Sequence, residues 1–334
     1  MNLLVTGGAG FIGSNLINMI LKKGSKLAIN VINLDRLTYA GNLENLQEIH
    51  DNPNYRFIKG DIRDRRTVEA IFTKFDIDSV INFAAETHVD RSIRNPEEFI
   101  TTNITGTHVI LDVAMNYWKI SPDVWNGKKY KPGTKFIQVS TDEVYGSLSE
   151  TESFVETSPL APNNPYSASK ASADMIVRAY HQTYGMPVNI TRCSNNYGRH
   201  QYPDKLIPLM ITNCLKDKAL PVYGDGLQVR DWVHVSDHCS AIMVVLQKGI
   251  PGEIYNIGGN NQKSTIEIVK YIVNTLRKSE SLIQYVQDRP SHDVRYAIDY
   301  TKITTELGWK PSCSFEQGMQ DTIKWYSENC HHWV

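Results

Sequence analysis

Paired cysteines are missing from this chain. Its five (Cys193, Cys214, Cys239, Cys313, Cys330) are odd in number and scattered, and no C-x-x-C occurs. Neither a disulfide frame nor a zinc ribbon is expected, and the thiols read as those of a reduced, cytoplasmic protein. Cys330-His331-His332 offers only adjacent ligands near a chain end, poor geometry for a closed tetrahedral site, so no metal is expected. No apolar run approaches the ~20 residues that cross a bilayer. No basic segment precedes the first apolar run at Leu3, so no leader is expected. Charge of one sign is not in excess. The 35 Lys and Arg against 36 Asp and Glu leave −1, which excludes the basic surface that nucleic acid or an acidic membrane requires. Nothing repeats and nothing is of low complexity.

What is present is alternation. Apolar strand candidates at 3–6, 29–34, 55–59, 79–83, 135–139 and 188–192 are separated by helical patterns at 11–23, 65–75, 96–118 and 166–184. This order predicts an α/β fold, a Rossmann-type doubly wound parallel sheet covered on both faces. Its ligands bind beyond the carboxyl ends of the strands. From about residue 203 the elements shorten. Residues 1–200 read as a dinucleotide-binding domain and 201–334 as mainly a smaller substrate-binding lobe. Stretches 232–247 and 253–257 are candidates to return to the main sheet. Residues 120–134, rich in Pro, Gly and Lys, read as a surface excursion.

Gly8, Gly10 and Gly13 fit G-x-G-x-x-G directly after the first strand, with Gly7 just ahead of them. Such a turn lets backbone approach a pyrophosphate at a helix N-terminus. The second strand ends at Asp35, where a carboxylate can take both ribose hydroxyls. It would repel a 2′-phosphate, so NAD is expected rather than NADP. Tyr166-Ser167-Ala168-Ser169-Lys170 puts a phenol and an ammonium on one helix face. A free phenol, with a pKa near 10, is a poor base at neutral pH. A nearby lysine and a positive nicotinamide ring would favour the phenolate. It could then take a proton from a secondary alcohol while hydride leaves the same carbon. Thr141-Asp142-Glu143 follows the 135–139 strand, as a capped turn or as an acid–base pair.

These motifs resemble the short-chain dehydrogenase/reductase superfamily in its extended form, and within it the nucleotide-sugar 4,6-dehydratases, nearest those of dTDP-glucose. The resemblance covers nearly the whole chain. It includes Ala84-Ala85-Glu86-Thr87-His88-Val89-Asp90-Arg91-Ser92, Ser194-Asn195-Asn196-Tyr197-Gly198, Asp204-Lys205-Leu206-Ile207-Pro208, Arg230-Asp231-Trp232, Tyr255-Asn256-Ile257-Gly258-Gly259 and Asp288-Arg289-Pro290 with His292-Asp293. It implies a redox-neutral cycle: NAD oxidises C4 of a hexose, Glu143 removes the C5 proton, Asp142 protonates the departing C6 hydroxyl, and hydride returns to C6. Thr141 would hydrogen-bond the C4 oxygen beside Tyr166, with Lys170 completing the catalytic set. The cofactor would be held by Gly7, Gly10, Phe11, Ile12, Gly13, Asp35, Asp61, Ile62 and Ala84, with Tyr166 and Lys170. The sugar nucleotide would be held by His88, Asn195, Asn196, Lys205, Leu206, Arg230, Asn256, Arg289 and His292. A homodimer through the 96–118 and 166–184 helices is also implied.

One segment departs from the pattern. Arg199-His200 stands where the dTDP-glucose enzymes usually have Pro-Tyr, and Asp204 where they have a glutamate. Both dTDP-glucose and UDP-N-acetylglucosamine therefore stay open as substrates. A UDP-sugar 4-epimerase and a non-catalytic NAD-binding module are the alternative readings.

Overall fold

Twelve strands organise the described chain: β1 (Asn2–Thr6), β2 (Asn30–Asp35), β3 (Tyr55–Lys59), β4 (Ser79–Asn82), β5 (Lys135–Thr141), β6 (Val188–Cys193), β7 (Asn195–Tyr197), β8 (Leu220–Tyr223), β9 (Val229–His234), β10 (Ile254–Ile257), β11 (Gln262–Ser264) and β12 (Ile283–Val286). The structure is a computed structural model and describes residues 1–23, 27–120, 130–148, 152–288, 290 and 292–329. Seven strands form one all-parallel sheet in the order β3-β2-β1-β4-β5-β6-β10. The remainder form a three-stranded β7-β9-β11 sheet and the parallel pair β8-β12.

Apolar runs, not alternation, make these strands, because both faces of a parallel sheet are covered. In β1, Leu3 and Val5 enter the core on one face and Leu4 that on the other. Helices Phe11–Leu21 and Val235–Lys248 pack together on the first face, supplying Leu16, Ile17 and Ile242. Helices Arg65–Phe75, Thr107–Trp118 and Pro165–Tyr184 cover the second with Val68, Phe72, Ile110 and Val177. Each such buried side chain contributes roughly 1.5–3 kcal/mol. A separate core around Tyr197, Ile268, Phe315 and Tyr326 supports the later elements. Among the described residues, no helix is long and apolar enough to cross a membrane.

Three local features differ from the sequence pattern. The 135–139 strand runs on to Thr141. The 96–118 helix is not uniform: Pro96–Phe99 and Thr107–Trp118 flank a π-helical stretch, Ile100–Gly106. That widened turn presents buried Asn103, whose amide brackets Glu86 (donor N at 2.8 Å, acceptor O at 3.0 Å) and reaches Ser169 Oγ at 2.8 Å. A short helix, Val89–Arg94, forms where no element was expected, capped by His88. Most of the 120–134 excursion (121–129) and the Cys330-His331-His332 tail lie outside the described residues.

Candidate active site

The strand order reverses between β1 and β4, and a cleft of about 720 Å³ opens beyond the carboxyl ends of the sheet. Gly7 sits at φ +67°, its N–H on Leu34 O at 2.9 Å, and a Cβ there would lie 2.8 Å from Ala84 N. A Cβ on Gly13 would lie 2.5 Å from Gly7 O. Gly10 is different: its Cβ would meet only Gly7 O, at 3.3 Å. Its smallness matters to whatever approaches the cleft it lines. Gly10 opens helix Phe11–Leu21 with no side-chain cap, the donor-rich end that suits a diphosphate. Phe11, Ile12, Ile62 and Ala84 line the same end.

Asp35 ends β2 at this rim. Its oxygens accept from Ala9 N (2.9 Å) and Leu37 N (2.7 Å). Burial pushes its carboxyl up, and the two backbone N–H groups oppose this. Asp61 takes a forked pair of bonds from Arg63 (2.8–3.1 Å) and faces Arg36 at 3.3 Å. Burial raises its carboxyl, but both guanidiniums outweigh that and hold it below the usual range.

Thr141 closes β5 and caps the helical turn Asp142–Tyr145, its Oγ1 accepting from Glu143 N and donating to Asp142 Oδ1, both at 3.3 Å. Asp142 is buried and its Oδ2 has no partner in the protein. Burial first, then Glu143 and Asp231, push its carboxyl well above the ordinary range, against Arg230 and Thr141. Of the adjacent carboxyls it is the one whose environment favours holding a proton. Glu143 lines the cleft beside it.

Tyr166 and Lys170 project from the first turns of Pro165–Tyr184. That helix starts at a reciprocal cap between Asn164 and Ser167, with Pro165 in the first position. Burial, then Glu143 and Cys193, hold the Tyr166 phenol well above its ordinary value, and the Thr141 hydrogen bond only partly offsets them. The expectation that Lys170 lowers this phenol is not met by the protein's own groups. The Lys170 ammonium donates to Val139 O at 2.7 Å; burial lowers it, and Asp174 and Cys193 oppose that. Asp174 itself is held by Arg192 at 2.9 Å in a buried pair.

On the far side, His88, Asn195, Asn196, Lys205, Leu206, Arg230 and His292 line the cleft. Lys205 Nζ donates to Thr87 O at 2.8 Å, and His88 Nε2 stands 3.7 Å from Asp204. Burial and then Lys205 lower the imidazole, against Asp204. Arg230 donates to Val229 O and Asp293 O (2.8 and 2.9 Å) with its guanidinium 4.3 Å over Tyr296. His292 Nδ1 meets Asp288 at 2.6 Å. The amide of Asn196 is engaged within the protein, by His238 Nδ1 and Ser194 O at 2.9 Å each and by Cys193 Sγ at 3.4 Å. Asn256 is a correction: the structure does not bring it to the cleft. It is fully buried, its amide bound to Tyr145 OH, Phe154 O and Asp299 O. Arg289 lies outside the described residues.

Several lining residues left no mark in the sequence pattern. Tyr296, buried and bonded to Asp293, reaches the neighbourhood of Glu143. The pairing of Arg295 with Val229, with Tyr296 N donating to Val229 O at 3.1 Å, helps to bring it there. Tyr39, under the Arg91 guanidinium at 3.7 Å, meets Tyr202 edge-on at the rim. His234 and His238 have the i, i+4 spacing of a helical metal pair, but His234 is the cap of its helix and binds Ser236. His238 is buried on Asn196 and pushed down to about 3 by that burial.

The comparisons agree with one another. Residues 4–322 match the family described as GDP-mannose 4,6 dehydratase. The chain is 52% identical to a dTDP-glucose 4,6-dehydratase of Xanthomonas campestris pv. campestris, over 99% of this chain and 94% of that one. Among solved structures it resembles a dTDP-glucose 4,6-dehydratase from Bacillus anthracis in complex with NAD (TM-score 0.89, 51% identity, 100% and 98% of the two chains). The enzyme of that name from Streptomyces venezuelae, also with NAD bound, gives a TM-score of 0.92 at 46% identity, over 100% and 99%.

Proposed function

We propose, from the premise that this chain belongs to the GDP-mannose 4,6 dehydratase family, that it is an NAD-dependent dehydratase. It converts dTDP-glucose to the 4-keto-6-deoxy sugar nucleotide and water. The observation that carries the reading is the pair Asp142-Glu143. Two adjacent carboxyls share one cleft with Tyr166, and burial raises one of them, whose Oδ2 has no partner, above the ordinary carboxyl range. An elimination needs such a split, one acid to donate and one base to accept.

The residues at the sheet end fit NAD: an uncapped helix N-terminus behind Gly10, a cradle that a side chain would fill, and the Asp35 carboxylate at the rim. Bound there, NAD supplies reversible storage of a hydride. In this reading Gly7, Gly10, Phe11, Ile12 and Gly13 hold its diphosphate end, and Asp35, Asp61, Ile62 and Ala84 its adenosine end. Tyr166, in the phenolate form that the positive nicotinamide ring of NAD would favour, takes the C4 hydroxyl proton, assisted by Thr141, and Lys170 orients that side of the cleft. Glu143 takes the C5 proton and Asp142 protonates the leaving C6 hydroxyl. His88, Asn195, Lys205, Leu206, Arg230 and His292 face the sugar nucleotide, with Asn196 shaping the wall. Residues 1–200 serve mainly the cofactor and 201–334 mainly the sugar nucleotide.

The other readings are less well supported. A 4-epimerase has no use for a proton donor at C6, and a non-catalytic module none for a buried acid with one oxygen left without a partner. Of the three departures that left UDP-N-acetylglucosamine open, Asp204 lines the cleft, whereas Arg199 and His200 do not. Arg199 and His200 are engaged by Asn15 and Trp325. The reading carries with it a cytoplasmic homodimer; Cys193, Cys214, Cys239 and Cys313 are free thiols.

Product mass after separate incubation with dTDP-glucose and UDP-N-acetylglucosamine tests the proposal. Loss of one water from dTDP-glucose alone is expected. Loss only from the other substrate would overturn the nucleotide assignment. An isomer of unchanged mass would turn the reading to an epimerase, and no reaction with NAD bound would overturn the enzyme.

A further inference from the structure

We infer that Arg199 is a positioning residue: it fastens the loop 198–205 to the glycine-loop helix, so that the sugar-nucleotide side of the cleft depends on the cofactor side. Arg199 Nε donates to Asn15 Oδ1 at 3.1 Å, and Asn15 Nδ2 returns a bond to Arg199 O at 3.0 Å. The two bonds close a ring between residues 184 positions apart. Asn15 is buried, and its Nδ2 also bonds Phe11 O at 2.9 Å, at the first residue of that helix. A change at the helix N-terminus therefore reaches Arg199 through a single side chain.

The rest of the loop is built to transmit that link. It leaves β7 at Gly198 (φ +144°), where a Cβ would lie 2.5 Å from Val235 Cγ1. His200 follows at φ +71°, a left-handed conformation that residues other than glycine rarely adopt. Its ring stacks on Trp325 at 5.0 Å, which helps to hold the strained turn. Gln201 Nε2 bonds Asn196 O at 3.1 Å, and Tyr326 OH donates to Gln201 O. Beyond this fastened stretch, Tyr202, Asp204, Lys205 and Leu206 line the cleft. Arg199 itself does not, so it touches no reacting group; any effect on turnover passes through the loop.

The inference rests on the proposed dehydratase reading, and two readouts separate them. With dTDP-glucose, Arg199→Ala, which removes the bond from the charged Nε and keeps the one accepted by the residue-199 carbonyl, raises KM about tenfold and leaves kcat within about twofold. Asn15→Ala, which removes both bonds, raises KM at least as much, and the double variant is no worse than Asn15→Ala alone. Arg199→Lys, which keeps a donor for Asn15, recovers part of the KM. The second readout is amide hydrogen exchange over 198–205. Saturation with NAD slows exchange there in the unaltered protein and does not in Arg199→Ala. An unchanged KM, a fall in kcat at fixed KM (a smaller folded fraction), additive single effects, or exchange indifferent to NAD would each overturn the inference. Should the unaltered protein fail to dehydrate dTDP-glucose, the functional reading falls while the exchange result still decides this one.

Discussion

Burial without a partner at Oδ2 makes Asp142 costly to ionise, and Glu143 and Asp231 add like charge. Its carboxyl titrates higher in the folded chain than in the unfolded one. Whatever favourable contribution it makes is complete below the unfolded pKa of about 4 and is lost as pH rises toward the folded value. Asp142→Asn removes the group that must be deprotonated. That variant should be more stable than the parent at neutral pH by about 1 kcal/mol, with the gap closing below about pH 4. Turnover should fall at least about 100-fold, the usual contribution of a general acid. Thermal unfolding at several pH values, with product formation at neutral pH, checks both. At this scale the sequence was informative where chemistry needs a spacing: Tyr166 with Lys170, and Thr141-Asp142-Glu143. It was silent on Tyr296, His238 and Tyr39, single residues whose place depends on distant pairings. It also pointed to Asn256, a residue whose amide the core uses up.

Elements set how accurately those side chains are held. Pro165–Tyr184 carries Tyr166 and Lys170 within two turns of its start, so the cap at Asn164 fixes both stability and aim. Asn164 Oδ1 accepts from Ser167 N at 2.9 Å and Ser167 Oγ faces Asn164 N at 3.3 Å. Asn164→Ala should cost about 1 kcal/mol in chemical denaturation. Because the frayed turn contains Tyr166, kcat should fall more than the lost folded fraction explains, about tenfold, on the same order of free energy. Equal loss of kcat and folded fraction would confine the cap to stability. The helix itself was legible from its periodicity and from Asn164-Pro165. The π-helical turn at Ile100–Gly106 was not, since its cause is tertiary. Asn103 must reach Glu86 and Ser169, and Gly106 must pass Ile62, whose Cδ1 would lie 2.4 Å from a Cβ there. The parallel order of the sheet followed from apolar runs between helices, and β10, which pairs with β6, falls in the 253–257 stretch offered as a candidate to return to that sheet.

At the scale of the molecule, the two sides of the cleft are tied across its mouth by Lys205 on Thr87, His88 beside Asp204, and Tyr202 against Tyr39. The helices that carry one side of this mouth, Val89–Arg94 and Pro96–Phe99, pack on Pro165–Tyr184. These elements and the π-helical stretch Ile100–Gly106 leave large apolar side chains in water: Ile93 is 42% exposed, Ile100 50% and Met175 58%. Scattered exposure of that kind is ordinary. Three such residues on helices that pack together are the material of a self-complementary two-fold contact, the commonest symmetry of soluble oligomers. The homodimer of the proposed reading would cover them and brace the helix bearing Tyr166. A carboxylate at Met175 would then be buried twice in a two-fold interface, once from each copy, with like charges brought together. Met175→Glu should therefore shift the dimer dissociation constant upward at least tenfold, about 1.4 kcal/mol. Glu at an exposed helical position leaves the fold of the single chain intact, within about 0.5 kcal/mol. Sedimentation velocity across a dilution series reads the shift directly. A dimer of unchanged affinity in Met175→Glu, or a parent protein that sediments as a monomer at all concentrations, would remove these helices from the interface.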